Sequence, residues 1–322
     1  MEYRSLGNSG VRVSVASLGT GGQWGGRVDQ KTAGQIVAAA LDSGINYFDT
    51  ADIYGTWYEG RKPLAEEYLG AALQGVRERV VLGSKGCQAT SDGPNDWGAS
   101  RYHLMNALEA SLRRLRTDHV DLYQIHVFDS STPMEETLRT LDDMVRAGKV
   151  RYVGASQYQA WQVCRCNDLA ERYGWARFIT VQIHYNLLER QAEQEMLPFC
   201  RQMQVGLLPY FALANGLLAG RYKLDTPPPA DSRAAAFERT RRYLAKYGTA
   251  RNFAVLDRLT EWARQHEHTL ADLAIAWPLA EPVVPTVITG ASSAEQIVAN
   301  ARAASWKLGQ TELAEIRAIL EG

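Results

Sequence analysis

The chain has 322 residues, with 35 lysines and arginines against 36 aspartates and glutamates, a formal charge of −1. Its 46% hydrophobic and 22% charged residues suit a globular protein able to bury a sizeable core, expected here as a single domain over 1–322. The neutral balance excludes a sequence-independent hold on nucleic acid, and the uncharged, apolar stretch Val205 to Gly220 carries Pro209, Asn215 and three glycines and falls short of a membrane span.

From the N-terminus, residues 1–19 mix charge with turn formers and lack the apolar core of a secretion signal. Short apolar, β-branched runs then recur: Val15–Gly19, Ile45–Asp49, Val80–Ser84, Val120–His126, Val150–Ser156, Ile179–Tyr185, Val205–Tyr210 and Val284–Thr289. Their content reads as strands buried on both faces of a parallel sheet. Helical spacing marks Thr32–Ser43, Arg101–Leu115, Thr137–Ala147 (Pro133 ahead, Gly148 behind) and Ala250–Gln265. The runs start roughly 26 to 40 residues apart, the period of a βα unit. Eight units predict an α/β fold, the (β/α)8 TIM barrel, with an open doubly wound sheet as the alternative. The last gap, from Tyr210 to Val284, is about twice the others and predicts a long insertion before strand 8, its part at 221–250 lying over one barrel mouth. Four cysteines form no disulfide framework, and Cys164 and Cys166 lack CxxC spacing, so free thiols and a cytoplasmic setting are expected.

In a barrel, strand C-termini form the active face, so the informative residues lie just past each run. The second run ends in Asp49 and continues Thr-Ala-Asp-Ile-Tyr54-Gly, the third ends in Ser84-Lys85, and the fourth in Gln124-Ile125-His126. Singly, each has a plain structural explanation: a capping acid, a surface phenol, a solvated amine, a hydrogen-bonded histidine. Together, at three consecutive strand ends, they form a chemical set. A lysine after a buried strand needs a partner, and Asp49 on the adjacent strand supplies one. A cation beside Tyr54 pulls its pKa down from about 10, making the phenol a general acid, while His126 polarises the same oxygen. The set suits protonation of an oxyanion formed by hydride addition to a carbonyl.

On these residues the chain resembles the aldo-keto reductases. Asp49-Thr-Ala-Asp-Ile-Tyr54-Gly matches their D-x-A-x-x-Y-G signature, Lys85 and His126 the other catalytic positions, and Pro209 to Gly220 their P-Y-S-P-L-A-x-G-L-L-x-G run. The long insertion is closer to bacterial reductases and potassium-channel β subunits. The resemblance implies a nicotinamide dinucleotide, NADPH/NADP+ ahead of NADH, and a small-molecule carbonyl substrate. It implies cofactor contacts from Thr20, Asp49, Ser156, Gln157, Gln182 and Tyr210, the last stacking on the nicotinamide. Arg221 and Arg233 are the expected phosphate cations, and Gly290, Ser292, Gln296 and Asn300 the adenosine-phosphate segment. Two positions depart: Gln157 replaces the usual asparagine, and Phe211 replaces a serine whose hydroxyl meets the pyrophosphate. Trp24, Trp57, Trp97 and Phe128 follow the first four runs and are candidate pocket walls.

The other patterns carry less. Gly19 to Gly26 fails the GxGxxG fingerprint, and His266-Glu-His268 lacks zinc spacing and reads as a solvated helix end, so no metal is expected. Trp161, Trp175, Trp262 and Trp277 read as core or helix packing. A glycosidase needs paired carboxylates that nothing marks. The functional alternative to a reductase is a nicotinamide-binding regulatory subunit with little turnover. Channel β subunits tend to lack the histidine found here at 126, which favours the enzyme.

Overall fold

Eight parallel strands form a nearly closed barrel in a computed structural model that describes residues 1–57, 62–230 and 232–322, without the side chains at 233 and 236. They are β3 (Ala16–Gly19), β4 (Tyr47–Asp49), β5 (Val81–Gly86), β6 (Val120–Ile125), β7 (Val150–Ser156), β8 (Phe178–His184), β9 (Gly206–Tyr210) and β10 (Val287–Gly290), hydrogen-bonded in the order β10-β3-β4-β5-β6-β7-β8-β9. At the β9–β10 seam the Leu207 amide donates to the Val283 carbonyl at 2.8 Å. The fold is therefore the (β/α)8 barrel, and the open-sheet alternative falls. The register aligns the chemistry, because Asp49 lies beside Gly19 and Gly83, Lys85 beside Gln124, and Ser156 beside Gln182.

Helices α1 (Gln30–Asp42), α2 (Leu64–Ala72), α3 (Arg101–Leu115), α4 (Met134–Arg146), α5 (Ala160–Tyr173) and α6 (Met196–Met203) link the strands up to β9. Their starts follow local chemistry: Asp29 accepts from the Thr32 amide ahead of α1, and Ser100 from the His103 amide ahead of α3. The expected helix at 137–147 begins earlier, at Met134, because Pro133 is an admissible helix entry with Glu135 and Glu136 in the first turn.

An N-terminal hairpin, β1 (Tyr3–Ser5) and β2 (Arg12–Ser14), was not legible as strands, since three residues carry no periodicity. It covers the N-terminal end of the barrel, burying Leu6 and Val13 with Tyr47, Leu122 and Leu208. The insertion before β10 contains α7 (Arg233–Ala236), α8 (Glu238–Tyr247), α9 (Ala250–Gln265) and α10 (Leu270–Ala276). Its α8 packs on the end of β8, with Tyr243 and Tyr247 rings 5.6 and 5.9 Å from His184. The chain closes with α11 (Ala294–Ala303) and α12 (Gln310–Glu321). The His266–His268 segment is not simply solvated: His266 stacks on Trp262 and His268 on Trp306, at 3.9 and 3.8 Å.

Candidate active site

Asp49, at the end of β4, is almost completely buried and is held from all sides. Lys85 Nζ donates to its Oδ1 at 2.5 Å, while Gln182, Gln124 and Tyr47 donate to Oδ2 at 3.0, 3.3 and 3.4 Å. Lys85 also donates to the Thr50 carbonyl at 2.8 Å. Burying two opposite charges is tolerable only with this degree of pairing and hydrogen bonding.

The turn after β4 returns Tyr54 over this pair, with Lys85 Nζ 5.0 Å from its ring centroid. Gly21 makes room for the ring, since a Cβ there would lie 3.1 Å from it. Burial pushes the Tyr54 phenol above its ordinary pKa; Lys85 opposes this without prevailing, and Asp49 reinforces it. The expected downward shift is thus corrected, because in this buried setting desolvation of a phenolate outweighs one nearby cation. Burial likewise pulls Lys85 down, but Asp49 and Tyr54 outweigh it, leaving the ammonium above its ordinary value.

His126 follows β6, its ring 5.7 Å from Tyr54 and edge-on. Burial, then Lys85 and Arg239, hold its pKa well below the usual histidine value, so the imidazole is neutral near pH 7. Its Nδ1 is buried without a hydrogen-bond partner among the described residues. Behind Lys85, both carboxyl oxygens of Asp52 are also buried and unpartnered among the described residues, and burial followed by Glu66 raises that carboxyl well above its ordinary value. Glu66 itself accepts from Ser84 at 2.6 Å and pairs with Arg114.

The expected cofactor residues line the same rim with varied commitments. Thr20 is buried and donates to Thr50 at 2.8 Å, and Ser156 is buried at the end of β7. The Gln182 amide is held by Asp49, and the Gln157 amide donates to the His126 carbonyl at 3.1 Å. Tyr210 is half-buried, with the His184 ring parallel to it at 5.5 Å. Phe211 lies edge-on to Tyr210. Arg221 is exposed beyond the β9 loop, and the Arg233 side chain lies outside the described residues. Past β10, Ser292 donates through its amide and hydroxyl to Gln296 Oε1 at 2.8 and 3.0 Å, and Asn300 donates to the Gly290 carbonyl at 3.4 Å. Ser293 caps α11, leaving a helix N-terminus beside these groups. Amides, hydroxyls and a half-buried aromatic ring at the barrel end, with an anion-favouring helix start at its edge, are a donor set that fits a nicotinamide dinucleotide.

Left-handed backbone marks the same face. Gln157, Phe211, Ala214 and Asn215 have φ of 56°, 56°, 47° and 55°, and all follow β7 or β9. Such conformations persist in non-glycine residues where the surroundings over-determine them, and ligand-binding loops are a common setting.

Among the aromatics, Trp57 is exposed 5.6 Å from Tyr54, Trp97 is exposed, and Phe128 is half-buried against Tyr158 and Trp161. Trp24 is not a wall: it is buried in the core, its loop pinned by the bridge to Val28. Trp161, expected as packing, is 53% exposed beside Phe128. The sequence reading also missed Gln124, His184, Tyr243 and Arg239. The 239–243–247 spacing, one helix face, was the available signal for the insertion residues.

The Aldo/keto reductase family profile matches residues 17–321. The chain is 37% identical to the uncharacterized oxidoreductase YrpG of Bacillus subtilis, over 100% of this chain and 97% of that protein. It is 37% identical to a probable voltage-gated potassium channel subunit beta of Oryza sativa subsp. japonica, covering 94% and 91%. It is 36% identical to the versiconal hemiacetal acetate reductase of Aspergillus parasiticus, covering 88% and 86%.

Proposed function

Because the chain belongs to the aldo/keto reductase family, we propose that it reduces an aldehyde or ketone to the alcohol with NADPH, Tyr54 giving the proton to the carbonyl oxygen. Family membership carries the coarser activity, that of an NAD(P)-dependent oxidoreductase acting on small carbonyl compounds. The finer reading rests above all on one observation: Tyr54 stands over the buried Lys85–Asp49 pair, edge-on to a neutral His126.

Reduced nicotinamide, when bound, supplies the hydride. Ser156, Gln157, Gln182 and Tyr210 are the residues that would hold its ring, and Thr20 and Phe211 its ribose and phosphate side. Tyr54 keeps its proton near pH 7 because burial opposes the phenolate. As the carbonyl oxygen gains charge, Tyr54 donates, and the Lys85 ammonium stabilises the phenolate left behind. Asp49 keeps that ammonium in place. His126, uncharged, donates an N–H to the carbonyl oxygen and orients it. Alcohol oxidation uses the same groups in reverse.

The test is Tyr54→Phe, expected to lower kcat about 10²-fold or more while the Kd for NADPH stays near wild type. Retention of most of kcat, with chemistry limiting, removes Tyr54 from the role. A second reading, a nicotinamide-binding regulatory subunit, is favoured by the channel β relatives. His126→Ala separates the two: a reductase loses kcat/KM, whereas unchanged activity points to the regulatory role.

A further inference from the structure

Between β5 and α3 the chain runs through residues 87–100 without a helix or a strand, a length at which loops in compact domains usually serve a ligand. The loop is firmly held. The Thr90 amide donates to the Asp96 carbonyl at 2.9 Å and closes the tip; the Gly98 amide donates to the Cys87 carbonyl at 2.8 Å and closes the base. Cys87 is two residues past Lys85, and its thiol donates at 3.3 Å to the carbonyl of Val127, the residue after His126. The base of the loop is thus stitched to the ends of the two strands that lead to Lys85 and His126.

At the centre of the stitching is Asp129, a carboxylate only 7% exposed that has no part in the proton-donating set. Its Oδ1 accepts from the Ser131 amide and hydroxyl at 2.8 and 2.6 Å, and its Oδ2 from the Ala99 amide and the Thr132 hydroxyl at 2.8 and 2.6 Å. One carboxylate therefore ties the loop after β5 to the loop after β6. Burial opposes its charge, but the hydrogen bonds from Ser131, Thr132 and Ala99 outweigh it and hold the carboxyl at about 2. Gly98, with φ of 93°, admits the carboxylate, since a Cβ there would lie 2.8 Å from Oδ2. The Thr137 hydroxyl adds a tie from α4, donating to the Ala99 carbonyl at 2.9 Å.

An aromatic residue precedes each side of this lock. Trp97 comes just before Gly98 and is 50% exposed, and Phe128 comes just before Asp129 and is half-buried, edge-on to Tyr158. Apolar surface left in water beside a reacting centre gains free energy when an apolar body covers it. A loop fixed beforehand spares the ordering cost that a mobile one would incur on binding.

We propose that Asp129 is a positioning residue for substrate: by locking the loops after β5 and β6 together it holds Trp97 and Phe128 as a preformed wall, so that the enzyme favours carbonyl compounds with a flat aromatic body. The inference rests on the carbonyl-reductase reading.

The test compares 2-naphthaldehyde with propanal in wild type, Asp129→Ala, Asp129→Asn, Trp97→Ala and the double variant Asp129→Ala/Trp97→Ala. In wild type kcat/KM is higher for naphthaldehyde. Asp129→Ala and Trp97→Ala each lower the naphthaldehyde-to-propanal ratio of kcat/KM by about 10-fold, mostly through KM, and Asp129→Asn, which keeps one acceptor oxygen, retains part of it. The double variant falls little below either single one, because Asp129 acts through Trp97. A ratio unmoved by Asp129→Ala overturns the proposal, as does an equal loss on both aldehydes or a Trp97→Ala effect undiminished in the Asp129→Ala background. If Asp129→Ala does not fold, Thr132→Val removes a single donor to Oδ2 and must still lower the ratio; an unmoved ratio there overturns the proposal as well. Calorimetry with 2-naphthamide on the NADP+-loaded protein separates this inference from the activity beneath it. If neither aldehyde is turned over, naphthamide binding weakened by Asp129→Ala and by Trp97→Ala still supports the lock, and binding indifferent to both overturns it.

Discussion

At the scale of single residues, chemistry at the candidate site is controlled by which charges are buried together. Lys85 keeps its charge although burial opposes it, because Asp49 and Tyr54 outweigh the desolvation, and Tyr54 keeps its proton because burial outweighs Lys85. With Tyr54 in the proposed role of proton donor, reduction requires its protonated form, and the rate is expected to fall as pH rises through the Tyr54 pKa. Removing the cation that holds this pKa down moves that limb to higher pH while slowing the proton transfer itself. Lys85→Met is therefore expected to cost about 10²-fold in kcat and to shift the alkaline limb of kcat/KM upward. The change also strands Asp49, at about 3–5 kcal/mol for a buried unpaired charge, so Asp49→Asn/Lys85→Met is the better-folded version of the test. A pH–rate profile in the double variant superimposable on wild type, with normal kcat, sinks the coupling of Lys85 to Tyr54. Asp49, Tyr54, Lys85 and His126 were legible because each stands at or just past the end of an apolar run. The direction of the Tyr54 shift was not, because desolvation depends on what packs over the ring.

At the scale of elements, the insertion is attached to the barrel through His184. Its ring lies parallel to Tyr210, meets the Tyr243 hydroxyl at 3.2 Å, and has its pKa pulled down to about 4, mainly by burial. A histidine with a depressed folded-state pKa leaves stability unaffected above its unfolded value of about 6.5 and lowers it progressively as pH falls toward 4. Only the unfolded chain takes up the proton in that window, for a loss of up to about 3 kcal/mol at its lower end. His184→Gln keeps a hydrogen-bonding side chain without the titration. The wild type is expected to lose more Tm than His184→Gln between pH 6.5 and 4, with parallel curves above that window. Equal losses in both proteins would show that His184 is not desolvated by α8. The sequence marked the insertion by the length of the last gap and placed α9 at its observed bounds; α8 carries Arg239, Tyr243 and Tyr247 on one face, but the partner of that face, His184 at the end of β8, is supplied only by the fold.

At the scale of the whole molecule, the barrel brings the far end of the chain to the rim beside Asp49, with β3 between them. Gly290 lies beside Gly19, so the Ser292–Gln296 segment shares a rim with the Asp49 strand. Ser292 now spends its amide and hydroxyl on Gln296 Oε1, and a 2′-phosphate would take over both donors at the α11 N-terminus. Glu295, exposed in the same helix turn, opposes a dianion. The expected result is a modest preference for NADPH over NADH, about 10-fold in Kd, which Ser292→Ala diminishes by weakening NADPH alone. Tighter binding of NADH than of NADPH in fluorescence titrations would reverse this assignment.

The sequence by itself determined the barrel and the four polar groups at its mouth, because both are written locally. A strand buried on two faces must be a short apolar run, and the group that ends it must point to the C-terminal rim. Tertiary structure alone decided what those groups meet. Gln157 and Gln182 spend their amides on His126 and Asp49, Trp24 sinks into the core while Trp161 emerges at the rim, and Arg239 crosses to the mouth on a helix anchored 59 residues from its partner histidine. Each of these is settled by long-range packing and desolvation, which depend on neighbours that lie far away along the chain and are brought near only by closure of the barrel.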